Sequence, residues 1–480
     1  MGIDIVIIVI FLVANVLIGT LSSRNISTFE RFSVGYRAFS SFVIFATLSA
    51  SFIGGGFTLG NAAKVFSDGM IYAFALLGFS LKEILVAQII APRMNAHYDC
   101  LSIGDIVAKG YGAWAQVITG LLGVILCTGV LGAQVGAMGA VFHTFFNVSP
   151  LWGILIGFSI IILYSSLGGM RAVVYTDILQ FLVLVIGIPL TLWVGIHHVG
   201  GFSAWMQKIP PHQLSFLSNP QAGLLFASLF ITFMLGETLV PPYVQRLFMA
   251  KTCKETQRGT LASGILSIPF FLIAGAIGLV AYAINPAIDA NLALPYVVQV
   301  ALPVVLRGFV IASILAIIMS SASGFLNAGA ISFVNDMIRP LSRHRVNQTV
   351  LLRLAKSVTV FMGIGSVFFA LLIKNVLDVL LTAYQFWAPI ILVPTAAFLL
   401  GTSVKPRDFF IGASGGVMML LIWSYGLHNP YHIQGIVMGV LGNLLFFTFS
   451  RWAFKPRPAP LLIAKVEVPV EKEERGERQE

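Results

Sequence analysis

Three hydroxyls crowd a short stretch of an otherwise apolar segment, Ile317-Ile318-Met319-Ser320-Ser321-Ala322-Ser323. A hard monovalent cation needs several oxygen ligands but no full negative charge. Serine hydroxyls and unpaired backbone carbonyls supply such a set, and carbonyls come free where a membrane helix unwinds. One such interruption is written as Gly54-Gly55-Gly56, directly after residues 50–53. Ser320 and Ser321 set against that break would make a cation site. The same serines could instead bond back to the preceding turn or let helices pack closely. A second interruption, Gly236-Glu237 followed by Pro241-Pro242, carries a charge. A carboxylate at mid-membrane is expensive and functional by default, with a partner to be named. Glu237 could neutralise a cationic solute, pair with Lys64 or Lys82, carry a proton, or be half of a structural ion pair. Lys82 and Glu83 are adjacent, so they are expected to face different ways and not to serve each other. Lys64 is placed to snorkel to the headgroups, and Gln134 reads as interior polar glue.

Membrane helices must position these groups. Of the 480 residues, 58% are apolar and only 10% charged, against roughly a quarter charged in a soluble chain. About thirteen apolar spans are predicted: 3–21, 40–66, 70–91, 114–145, 150–167, 172–196, 223–247, 261–284, 304–334, 354–373, 378–401, 408–425 and 433–450. The interrupted spans, 40–66 and 223–247, open two runs of five. Because five is odd, the two runs must be inverted, and such folds place their sites at mid-depth between the repeats. The expected organisation is a peripheral first helix and loop at 1–39, repeats at 40–197 and 198–402, two peripheral helices at 403–450, and a disordered tail at 451–480.

The net charge of +10 does not point to nucleic acid. The basic residues fall in alternate loops, Arg246 and Lys251 among them, with Lys208 and Lys374 as exceptions. That is the positive-inside pattern. It predicts a multi-pass protein of the plasma (inner) membrane, N-terminus outside and C-terminus cytoplasmic. The first span reads as a retained helix rather than a signal peptide. Cys100, Cys127 and Cys253 form no disulfide framework. His428 and His432 flank Asn429-Pro430 in a loop, which spoils a helical metal pair. No phosphate-binding loop or nucleophile motif appears, so the chain is not expected to be an enzyme.

A longer pattern then becomes specific. Tyr164-Ser165-Ser166-Leu167-Gly168-Gly169 is followed by Arg171-Ala172-Val173-Val174-Tyr175-Thr176-Asp177 and Gln180. Together with residues 317–323 and Asn335-Asp336-Met337-Ile338, it resembles the sodium:solute symporter family over about residues 30–400. The resemblance implies an all-α, leucine-transporter-like fold, an inverted five-plus-five helix repeat, with Na+ as coupling ion. It places sodium on the carbonyls of Ala50, Ile53 and Ile317 and the hydroxyls of Ser320 and Ser321, and puts Asp177 on the ion's exit path. Asp177 could equally cap its helix or pair with Arg171. Residues 51–57 and 242–246 look most like the high-affinity choline transporter branch, which supplies tryptophans at positions matching Phe52, Val130 and Val240. Only Phe52 is aromatic here, so that box is incomplete. Phe52, Gly54, Gly55, Phe57, Phe79 and Glu237 are the expected solute contacts.

The function expected is sodium-coupled import of a small polar or cationic organic solute by alternating access. The partners are sodium, the solute and the lipid bilayer, with the protein a monomer or weak homo-oligomer. The rival readings are a proton-coupled transporter of the same fold using Glu237, and a solute sensor that moves nothing.

Overall fold

The computed structural model describes residues 2–24, 26–215, 220–342, 346–372 and 384–454. Lys374 and the expected disordered tail beyond residue 454 lie outside the described residues.

The described residues are helical, with one isolated β-bridge between Phe39 and Ala250. In lipid a helix satisfies its own backbone, so the apolar runs have few alternatives. Among the described residues, nine helices are long and apolar enough to cross a membrane, or eleven if each of two bent pairs is one span. Two predicted spans, 150–167 and 172–196, run on as one helical stretch, Pro150–His198, broken at Gly169. Gly169 has φ 53°, a left-handed conformation open to glycine.

Both predicted interruptions are present. Helix Ser41–Phe52 meets Gly56–Asp68 at 61°, the first break, and the helix ending at Gly236 meets Pro241–Leu247 at 58°, the second. The loop before the first broken helix and the loop after the second are tied together. The Phe39 N–H donates to the Met249 carbonyl at 3.2 Å, and the Lys251 N–H donates to Phe39 at 3.0 Å. Glu255 accepts from the Ser41 N–H and so fixes where the first broken helix begins.

The helix Leu306–Leu341 is the centre of the molecule, since 94% of its most apolar 18-residue window is buried. The first helix, Gly2–Ser22, has 28% buried in the same measure and is peripheral. Lipid tails are as apolar as leucine, so helices here associate through close packing rather than hydrophobic exclusion. Gly153 and Gly157 on Pro150–His198 seat Phe142 and Met138 of Ala113–Phe146 in that way. At one end of the central helix, Asp336 accepts from Ser102 at 2.5 Å and Asn335 at 2.9 Å. This buried polar knot accounts for the Asn335-Asp336 motif.

Candidate functional site

The first break lies directly against the central helix. Helix Ser41–Phe52 stops at Ile53, whose ψ of 58° turns the chain out of the helix. The carbonyls of the last turn then lack their usual intrahelical donors. The Ser320 hydroxyl donates to the Ala50 carbonyl at 2.7 Å and to the Ile317 carbonyl at 3.2 Å. The Ser321 hydroxyl donates to the Ser51 carbonyl at 2.9 Å. Ser320 and Ser321 are buried, as are Ala50, Ile53 and Ile317. The hydrogen bonds thus join Ala50, Ile317 and Ser320, and add Ser51. Ile53 makes no such link to the serines and sits at the turn itself. A Cβ on Gly54 would stand 2.6 Å from the Ser321 hydroxyl oxygen, so Gly54 belongs with the serines. This donor set is neutral and oxygen-only, and fits a hard monovalent cation: a bound ion would take the carbonyls, and each hydroxyl would turn its lone pair inward.

The second break is built differently. Its carbonyls are already capped: Glu237 by the Lys82 ammonium at 3.4 Å and Thr238 by the Trp387 indole N–H at 3.2 Å. Pro241 and Pro242 open the following half-helix, and their missing N–H groups remove the donors that an anion would seek there. Leu239 is held at φ 57°, a left-handed conformation that costs an L-residue about 1–2 kcal/mol. The Glu237 carboxylate accepts from the Tyr243 hydroxyl at 2.7 Å. The second break is therefore electronegative.

Lys82 and Glu83 correct the sequence expectation. They pair at 2.6 Å and each is only 3% exposed. Neighbours on a helix diverge at Cβ, but without water two long side chains turn back to each other. Of the two partners offered for Glu237, Lys82 reaches only its backbone, and Lys64 pairs with Asp68 at 3.7 Å on an exposed face.

Aromatic rings join the two breaks. Phe79 lies 5.1 Å from both Phe52 and Phe57, and Tyr243 lies 6.5 Å from Phe52. Phe271 packs on Phe57 at 5.6 Å. Val130 and Val240 are buried and add no ring. Gln134 faces Gly55, where a Cβ would lie 3.2 Å from its Oε1, and that oxygen has no partner among the described residues.

Asp177 does not pair with Arg171, which instead donates to the Arg24 carbonyl. Its partner is Arg246, at 3.0 Å, with both side chains fully buried. Arg246 also donates to Thr47 at 2.9 Å, to the Pro242 carbonyl at 2.8 Å and to the Ser51 hydroxyl. Thr47 in turn donates to Asp177. Arg246 is thus not a loop charge. Ser51 connects the two groups, its carbonyl facing Ser321 and its hydroxyl facing Arg246. The clue in the sequence was one arginine a single turn past Pro242, at the end of an interrupted span.

The match to the family model of the sodium:solute symporter family runs over residues 32–405. The chain belongs to the sodium:solute symporter family. It is a membrane transporter and not an enzyme, and sodium is the family's coupling ion. Among its relatives, the osmoregulated proline transporter OpuE of Bacillus subtilis (strain 168) is 24% identical over 364 residues, covering 72% of this chain and 73% of the relative. High affinity choline transporter 1 of Homo sapiens is 25% identical over 371 residues, 72% of this chain and 63% of that protein. A solved Na+-coupled sialic acid symporter in a substrate-bound outward-open state has the same fold. Its TM-score is 0.82 at 21% identity, over 96% of this chain and 99% of that one.

Proposed function

We propose that this family member couples sodium entry to uptake of a small organic solute that carries an amine, with sodium at the first break and the amine at the second. One observation carries the reading: Ser320 and Ser321 of the central helix reach the Ala50 and Ser51 carbonyls that the first break frees. Ala50, Ile53, Ile317, Ser320 and Ser321 would hold the ion. Its positive charge would replace hydroxyl protons at the carbonyls and so tighten the broken helix onto the central one. If sodium prefers the outward-open arrangement, that preference is what links the two fluxes.

The solute class follows from charge. Half-helix N-termini favour anionic groups and C-termini favour cations. The half-helix from Gly56 offers the first, while Glu237 and the end of the preceding helix offer the second. The two relatives named above handle proline, a zwitterion, and choline, a quaternary cation. The acceptors Glu237 and Gln134 suit an amine with N–H groups, so an amino-acid-like zwitterion fits better than choline. Phe52, Gly55, Phe57 and Phe79 would wall its apolar part. Asp177 and Arg246 would lie on the ion's inward path, through Ser51.

The topology proposed is thirteen spans. Pro150–His198 has 49 residues, about 74 Å of helix, and counts twice across Gly169. Tyr384–Leu399 would end a further span. The inverted repeats at 40–197 and 198–402, the outside N-terminus, the cytoplasmic C-terminus and a monomer or weak homo-oligomer complete the proposal.

The test is uptake of labelled proline, other amino acids and choline into proteoliposomes under an inward sodium gradient, with potassium as control. Sodium-dependent accumulation of a zwitterion supports the reading. Accumulation driven by a pH gradient without sodium would move the coupling to Glu237.

A further inference from the structure

Lys82 sits where a free amine would sit. Its ammonium lies 3.5 Å from the centroid of the Phe79 ring and 5.1 Å from that of Tyr243. Glu83 accepts from it at 2.6 Å and the Glu237 carbonyl at 3.4 Å. Two aromatic faces, a carboxylate and a carbonyl at the negative end of a half-helix together select an ammonium with N–H groups. A small cavity adjoins the pair, lined by Leu48, Leu239, Tyr243 and Val244 beside Lys82 and Glu83.

Capping the break does not call for a charge. The neighbouring Thr238 carbonyl is capped by the neutral indole of Trp387, and a buried ion pair seldom stabilises more than an apolar pair of its size. The charge of Lys82 therefore has another use. Lys82 and Glu83 pair with each other, and the Glu237 carboxyl stands beside them as a further acceptor. A solute with a fixed positive charge would have to share the rings of Phe79 and Tyr243 with an ammonium already there. A zwitterion can give its amine to Glu237, beside the Tyr243 hydroxyl, and lay only its apolar part against Phe79, so its charge need not share the ring faces.

We propose that Lys82 is a tethered occupant of an amine subsite at the second break, and that it shuts quaternary cations out of the Phe79 and Tyr243 faces. The claim deepens the reading of this region as the solute site and rests on it for the consequence to selectivity. The subsite itself can be tested alone.

Lys82→Ala in the full-length protein removes a propylammonium-sized piece. Thermal unfolding is followed during titration with n-propylammonium or tetramethylammonium chloride, with ionic strength held by potassium chloride. Lys82→Ala is expected to gain a saturable rise with n-propylammonium, and a smaller one with tetramethylammonium, which has no N–H. At tenfold excess over the dissociation constant, the folded-to-unfolded ratio rises about elevenfold. Wild type, its subsite filled by Lys82, should show at most the smaller rise that an amine on Glu237 gives. The double variant Lys82→Met/Glu83→Met buries neither charge, should fold, and should respond no more than wild type. If Lys82→Ala cannot be purified, n-propylammonium present during extraction must recover it. No rise in Lys82→Ala, an equal rise in wild type or in the double variant, or failure of that recovery overturns the proposal. A sodium titration of the wild type, run alongside, reports on the coupling-ion reading separately. Loss of sodium response beside an intact amine response would sink that reading alone.

Discussion

Replacing Ser320 and Ser321 by alanine tests whether these hydroxyls bind an ion or only pack. Without sodium, Ser320→Ala strips a donor from the Ala50 carbonyl, and Ser321→Ala strips one from Ser51. Each deletion should lower stability by about 1–3 kcal/mol, because buried acceptors are left unpaired. With sodium bound, the ion takes the carbonyls, but each variant lacks a ligand oxygen. An interaction with a charge is worth about 1 kcal/mol more than a neutral hydrogen bond, so each serine should carry about fivefold in sodium affinity. The pair together should carry about thirtyfold. At sodium one hundred times the wild-type dissociation constant, binding stabilises wild type by about 2.7 kcal/mol. In the double alanine the same concentration should give about 1 kcal/mol or less. The assay is unfolding of the purified protein in sodium, potassium or N-methylglucamine chloride at equal ionic strength. Serines that only pack would lower every curve by the same amount and leave the sodium increment untouched, and that result refutes the site.

Other perturbations separate the remaining roles. Gly54→Ala would place a Cβ 2.6 Å from the Ser321 oxygen, whereas a Cβ on Gly56 meets nothing within 4 Å; the first substitution should abolish the sodium increment in unfolding and the second should keep it. Asp177→Asn leaves the fully buried Arg246 without its counter-charge and should cost about 3–5 kcal/mol. Adding Arg246→Met should restore part of that loss, and strictly additive losses in a double-mutant unfolding cycle would mean the two are not a pair. Glu237→Gln keeps an acceptor for the Tyr243 hydroxyl, so stability should hold while the affinity for an amine solute falls about tenfold or more, as loss of a charged hydrogen bond requires. Solute binding measured by titration checks this, and unchanged affinity would leave Glu237 a structural residue.

The sequence made both breaks readable because glycine and proline have few reasons to sit inside an apolar span. It made the serines readable because three hydroxyls in such a span need acceptors. Of their acceptors, Ala50 was implied by the family resemblance, whereas Ser51 emerged only from where the break turns the chain. Arg246 was hidden by the same logic. A basic residue at the end of an apolar run looks like a loop charge, and its partners Asp177 and Thr47 lie 69 and 199 positions away. Lys82 and Glu83 were misread because the rule for helix neighbours describes Cβ directions in water. Where water is absent, the electrostatic gain of meeting outweighs the rotamer strain of turning back.

The two breaks pose one physical problem and solve it in two ways. Each frees carbonyls inside an interrupted apolar span, and each needs positive charge or donors to cover them. At the second break the donors are covalently fixed, Lys82 and Trp387, and cannot leave. At the first the donors are two serine protons, which at the proposed sodium site a hard cation would displace reversibly. On that proposal the first break has a cover that an ion can replace, while the second keeps its own. The Ser51 hydroxyl, held by Arg246, ties the replaceable cover to the buried pair with Asp177. An ion exchanging at the first break, as proposed, would therefore be felt at Arg246, on the helix that begins at the second.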